Sequence, residues 1–282
     1  MKNRLITSIA IIVLGLLLVV FSSYIVYPIA LAAISVIALF EILRVMKSHK
    51  EWAISIPAFI FTPVFPILAY FIKGEWTVYY LLILAAYLFV YMMWLMGVSV
   101  FSRGSIAFYR ISEVFVAVTY VTVAFSSLSL LRYLNKDVGV FSVILVFVIA
   151  WISDVFAFFT GSLIGKHKLI PEVSPKKTVE GAIGGVVFAT VACLVYGLII
   201  DLIMTDIRVN YILLAVFGLV LSVVSQLGDL VASLIKREYG AKDYGTIFPG
   251  HGGIMDRFDS PIAVAAIMLI LTMVLPPFTT IV

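Results

Sequence analysis

Apolar residues run along this chain in blocks of about 20, the length an α-helix needs to cross the hydrocarbon core of a bilayer. Nine such blocks can be drawn, at 5–21, 24–43, 52–72, 76–97, 111–131, 138–160, 181–204, 209–232 and 261–281. Pro57, Pro63 and Pro66 fall inside the third and predict a kink or a split, because proline removes a backbone donor and crowds the preceding turn. Pro276 and Pro277 lie near the end of the last block and predict that its helical part is short. Trp52, Trp76 and Trp94 sit near block ends, where an interfacial anchoring role is ordinary. The expected fold is all-α: a polytopic integral membrane protein with about nine transmembrane helices.

Composition agrees. Of 282 residues, 63% are hydrophobic and 12% charged, where soluble proteins carry about 25% charged residues. The start, Lys2 and Arg4 before an apolar run with Ala30-Leu31-Ala32 beyond it, resembles a signal peptide. The run continues from Leu5 to Phe40, too long for a signal sequence, and fits two spans better. The net charge of +4 matters less than its distribution. Threading the nine spans with the N-terminus in the cytoplasm puts 15 of the 19 basic residues on that side and only Lys73, Arg132, Lys136 and Arg208 on the other. That is the bias the positive-inside rule describes. The basic linkers near 44–51 and 98–110 read as topology signals and lipid-headgroup contacts. Cys193 is the single cysteine, so no intramolecular disulfide can form, and a packing role is expected.

The chain divides in texture. Residues 1–135 are spans and short linkers without a cluster of reactive side chains. Residues 136–282 carry the polar chemistry, mostly in two loops, 165–180 and 233–260. Each is preceded by a span holding an acid, Asp154 or Asp229. An acid at the centre of a span costs about 2.5–3.5 kcal/mol and marks a function or a partner. Asp154, Gly161 and Gly165 share a helix face, and Gly181 and Gly185 repeat the glycine spacing in the next span; close helix packing and close approach of a ligand both suit it. Ser174-Pro175 reads as a helix start, with serine as N-cap and proline in the first turn. Lys176, Lys177 and Thr178 would then join a helix N-terminus in cradling phosphate. In the eighth span, Ser222, Gln226, Asp229, Ser233 and Lys236 form one polar stripe, which must face a cavity or another helix.

The last loop is the most informative. It holds Arg237, Lys242 and Asp243, then Pro249-Gly250-His251-Gly252-Gly253-Ile254-Met255-Asp256-Arg257-Phe258-Asp259-Ser260-Pro261. Small residues around His251 would bring backbone N–H groups close to whatever binds. Asp229, Asp256 and Asp259 offer oxygen ligands suited to a hard cation such as Mg²⁺. Asp259 also has Arg237 and Arg257 as candidate ion-pair partners.

The run from Ser233 to Asp259, with Gly228-Asp229-Leu230 and the segment from Asp154 through Ser174-Pro175-Lys176-Lys177-Thr178-Val179-Glu180-Gly181, resembles the phosphatidate cytidylyltransferase (CDP-diacylglycerol synthase) family. The likeness is close over about 135–265 and elsewhere extends only to a set of spans. It implies a multi-pass enzyme of the bacterial inner membrane with its site facing the cytoplasm. It implies CTP and phosphatidate as substrates in membrane lipid, Mg²⁺ alone or with a second cation, a homodimer, and no nucleic-acid partner. In that implied site Asp229, Asp256, Lys236, Arg237, Lys176 and Lys177 are catalytic, with Asp229, Asp256 and Asp259 on the metal. Asp154, Ser174, Thr178, Ser233, Lys242, His251, Gly252, Gly253 and Arg257 contact substrate. A phosphate monoester nucleophile is largely ionised at neutral pH and needs no general base, and the chain shows no evident Ser–His–Asp triad. The rival readings are a CTP-dependent lipid-alcohol kinase, with Asp154 or His251 as base, and an ion transporter using Asp154 and Asp229 as a relay. A CDP-alcohol phosphotransferase would need a closely spaced array of acids that the sequence lacks.

Overall fold

A chain in lipid has no solvent to satisfy exposed backbone polar groups, so each apolar block must bond internally as a helix. The computed structural model describes residues 15, 19–72, 76–103, 105–248, 250 and 252–281. In it, eight helices are long and apolar enough to cross a membrane. They are α1 (Val26–Val45), the pair α2 (Trp52–Phe61) and α3 (Val64–Phe71), α4 (Trp76–Phe101), α5 (Phe108–Leu134), α6 (Gly139–Ile164), α7 (Val179–Ile203), α8 (Tyr211–Glu238) and α9 (Met255–Val274). The protein is an all-α polytopic membrane protein. Large apolar side chains such as Leu163, Ile212 and Val274 are left exposed, as a lipid surround requires. Of the nine expected spans, 5–21 lies mostly outside the described residues, as do Lys2, Arg4 and Lys73.

Met1–Leu134 with Tyr239–Arg257 forms one compact unit, and Asn135–Glu238 with Phe258–Val282 the other. In the first unit, α5 is the core element, and every residue from Ala124 to Tyr133 is buried. Among them Arg132 is satisfied by the hydroxyls of Ser22 and Ser23, at 2.8 and 2.9 Å. The third block is split at Thr62-Pro63, as its prolines predict. Pro57 sits inside α2 without an N–H to offer Ala53. The Ala53 carbonyl accepts instead from the Trp94 indole N–H at 2.7 Å. Beyond the break, Thr62 and Thr122 share a hydroxyl bond of 2.8 Å, and Ser129 donates to the Pro66 carbonyl at 2.6 Å.

The second unit is built on glycine. A Cβ on Gly181 would lie 2.6 Å from the Ala157 carbonyl oxygen, and one on Gly185 would lie 2.8 Å from that of Ser153. The α6 and α7 backbones therefore touch, which favours the packing reading of the glycine spacing. Cys193 is buried, within 3.2 Å of where a Gly218 Cβ would stand, in the packing role expected.

Two expectations need correction here. The segment from Ser174 does not start a helix. Ser174–Thr178 is strand β2, paired antiparallel with β1 (Lys168–Ile170), Lys168 opposite Thr178 and Ile170 opposite Ser174. The helix begins at Val179, where Thr178 caps it by accepting the Gly181 N–H at 3.1 Å. Pro175 is tolerated because a two-stranded ribbon has free edges, and its carbonyl accepts from the Lys168 ammonium at 2.8 Å. The last span also starts earlier than 261. α9 begins at Met255, takes Pro261 into its body, and ends at Val274. The chain then pairs β4 (Phe278–Thr280) with β3 (Ile207–Val209), and Phe278 is buried beside Phe141 and Tyr196.

Candidate active site

The polar stripe of α8 faces inward, as its spacing requires. Ser222, Gln226 and Lys236 are buried. Gln226 spans two neighbours, donating to the Ser153 hydroxyl of α6 at 3.2 Å and to the Ala182 carbonyl of α7 at 3.0 Å. One turn on, Asp229 meets the ammonium of Lys177 in an ion pair, with both side chains about a quarter exposed. Asp259, near the start of α9, lies in the electrostatic field of Asp229, Asp154 and Lys236. Asp154 accepts from the Ser260 hydroxyl at 3.0 Å. Three carboxylates and two lysines are thus grouped in the second unit. Their oxygens suit Mg²⁺ in donor chemistry. Among the described residues, no three His, Cys, Asp or Glu side chains form a group able to hold a metal ion.

β2 supplies the remaining residues of this unit. Lys176 is exposed, Ser174 is half-buried, and Thr178 is the buried helix cap. A Cβ on Gly161 or Gly165 would lie 2.7 Å from the Thr178 hydroxyl, so the cap is seated against glycine. Ser233 is half-buried and Arg237 exposed on α8. His167 bonds through Nδ1 to Glu180 at 2.7 Å while its ring stays largely exposed. The same carboxylate accepts the backbone N–H groups of Lys166 and His167, at 3.1 and 3.2 Å, and ties the hairpin to the first turn of α7.

The glycine-rich segment belongs to the first unit. Gly250 and Gly252 have φ of 78° and 80°, where a side chain is strained. The Phe248 N–H donates to the Gly252 carbonyl at 2.9 Å. Asp256 Oδ2 accepts the backbone N–H groups of Tyr244 and Gly253, at 2.7 and 2.9 Å, and so closes the loop. Lys242 and Arg257 are exposed, and His251 lies outside the described residues.

Sequence reasoning missed Glu41, Arg44 and Glu113 of the transmembrane half. Glu41 accepts the Met255 N–H at 2.8 Å, Arg44 donates to the Tyr244 carbonyl at 2.7 Å, and Glu113 accepts from the Tyr239 hydroxyl at 2.5 Å. The signal was present: Glu41 is an acid inside an apolar span, the criterion that singled out Asp154 and Asp229. The basic linkers likewise make specific bonds. Arg110 pairs with Glu51 at 3.2 Å and donates to the Lys47 carbonyl at 2.9 Å.

Comparison with known proteins bears on what this arrangement does. The cytidylyltransferase family model matches residues 2–275. The chain belongs to that family. Among this cytidylyltransferase's relatives is the phosphatidate cytidylyltransferase of Bacillus subtilis, 35% identical over 265 residues, covering 92% of this chain and 93% of that one. The proteins of the same name from Staphylococcus saprophyticus and Staphylococcus epidermidis are 38% and 39% identical over 177 and 173 residues. In those two alignments the chain spans 65% and 63% of the relative's length.

Proposed function

We propose that this member of the cytidylyltransferase family is a phosphatidate cytidylyltransferase, converting CTP and phosphatidate to CDP-diacylglycerol and pyrophosphate. The observation that carries the reading is the alignment with the Bacillus subtilis phosphatidate cytidylyltransferase over 92% of the chain. The chemistry suits the residues. A phosphatidate oxygen attacks the α-phosphorus of CTP, the bond to the β-phosphate oxygen breaks, and pyrophosphate leaves. The nucleophile is already ionised, so the work is to gather anions and hold the attack in line. Lys176, Lys177, Lys236 and Arg237 offset the phosphate charge. Ser174, Thr178, Ser233, Lys242, His251, Gly252, Gly253 and Arg257 contact the substrates, and Asp154 orients them through the Ser260 side of α9. Mg²⁺, alone or with a second cation, would be held by Asp229, Asp256 and Asp259 and would neutralise charge on the transferring and leaving phosphates. The oxygen donor chemistry of these three carboxylates supports this assignment. Seating in the inner membrane with the site on the cytoplasmic side is supported by the basic residues that the threading places there. A homodimer completes the reading and rests on the family likeness alone.

Labelled CTP tests it. With phosphatidate and a polyprenol or diacylglycerol both supplied in Mg²⁺, α-phosphate label is expected in lipid and γ-label in pyrophosphate. Lipid carrying γ-label without α-label would establish a lipid kinase instead. Release of no pyrophosphate, with ion flux in vesicles, would establish a transporter.

A further inference from the structure

Glu41 lies in the apolar run Leu39-Phe40-Glu41-Ile42-Leu43 of α1 and is 2% exposed. A carboxylate is costly to bury unless something binds it, and what binds it here is distant in sequence. Oε2 accepts the N–H of Met255, 214 residues away, at 2.8 Å. Oε1 is buried and has no hydrogen-bond partner among the described residues. It is wedged against backbone: a Cβ at Gly245 or at Gly253 would overlap the carboxylate. Neither glycine has a positive φ, so it is this close approach, not backbone conformation, that excludes a side chain. One turn along α1, Arg44 donates to the Tyr244 carbonyl at 2.7 Å. One helix face therefore presents an acceptor to one end of the loop and a donor to the other. Asp256 draws the same ends together by accepting from Tyr244 and Gly253.

We propose that Glu41 is a positioning residue for cytidylyl transfer. Its carboxylate is the template against which 244–248 and 252–256 pack, so that Gly252, Gly253 and Asp256 are held in the conformation that meets the substrate phosphates. This rests on the reaction assigned above and gives the first transmembrane half a part in it. Misplacing a catalytic group by about 1 Å can cost 10²-fold, so Glu41→Ala is expected to lower kcat by about 10²-fold. The KM for CTP should stay within about threefold, because no substrate contact is removed. Glu41→Gln keeps the shape and one acceptor and should recover most of that loss. Gly245→Ala drives the carboxylate out and should imitate Glu41→Ala, yet cost little more in the double variant, because both changes act through one contact.

Hydrogen exchange on the full-length, ligand-free protein gives a readout that needs no substrate. In Gly245→Ala the Tyr244 and Met255 amides should exchange about tenfold faster or more, with the interior of α5 unchanged. Wild-type kcat in Glu41→Ala, losses that multiply in the double variant, or unchanged exchange in Gly245→Ala would each overturn the proposal. If Glu41→Ala does not accumulate, Gly245→Ala carries both tests. Wild-type protein that places no α-label in lipid would instead sink the reaction assignment, whatever the loop does.

Discussion

Replacing Lys177 with methionine keeps the length of the side chain and removes the ammonium that touches Asp229. The cost follows from exposure. Fully exposed pairs contribute about 0.2–1 kcal/mol, and breaking a buried pair costs about 3–5 kcal/mol. Both partners are about a quarter exposed, at 24% and 25%, so the loss should fall between these ranges, at about 1–2 kcal/mol. Most of it is the penalty of a stranded carboxylate, so Asp229→Asn in the same chain should restore much of the stability while leaving the enzyme inactive. The assay is a double-mutant cycle on protein in lipid nanodiscs, following unfolding and CTP turnover in parallel. Single-variant turnover should drop by about 10²-fold if the lysine stabilises charge in the transition state. Stability losses that add within about 0.3–0.5 kcal/mol would show the two side chains to be uncoupled and would refute the argument.

Asp256→Asn should retain an oxygen acceptor for the Tyr244 and Gly253 amides and keep the loop closed, yet lose at least about 10–100-fold in turnover with an altered Mg²⁺ requirement; titrating Mg²⁺ against activity checks this. Thr178→Ala should cost about 1 kcal/mol through loss of the α7 cap, while Thr178→Ser should cost a few tenths at most, as thermal unfolding of the two variants would reveal.

The helices were legible because lipid leaves an apolar stretch so few alternatives. The split at Thr62-Pro63 was legible for the same local reason, since proline's missing donor acts on its own turn. The β1–β2 hairpin was not. Ser174-Pro175 satisfies the rule for a helix start, and only pairing with Lys168–Ile170 decides against it. The start of α9 was placed too late because the apolar run begins at 261, whereas the helix begins at Met255 and takes Pro261 into its body. The inward stripe of α8 could be read from spacing, and Gln226 and Asp229 meet neighbours as it required. The pairing of Lys177 with Asp229 had no signal in spacing, because it joins a strand end to a helix middle. Glu41 was hidden further still. Its charge was visible, but its partner is a backbone amide, which every residue carries and no sequence distinguishes.

The inward face of α8 has a consequence for how the chain enters the membrane. When that segment leaves the ribosome, Gln226 and Asp229 would meet hydrocarbon if it inserted alone, at a cost of up to about 2.5–3.5 kcal/mol for an ion near mid-bilayer. The partners that receive Gln226, Ser153 and Ala182, lie on the two helices synthesised just before it, and Lys177 precedes Asp229 in the same order. If α6 and α7 are already packed when α8 arrives, their polar groups would be in place to receive it. A lesion there, such as a bulky residue at Gly185, should appear first as failed integration of α8, with degraded chains and low yield, before any defect in the finished enzyme could be measured.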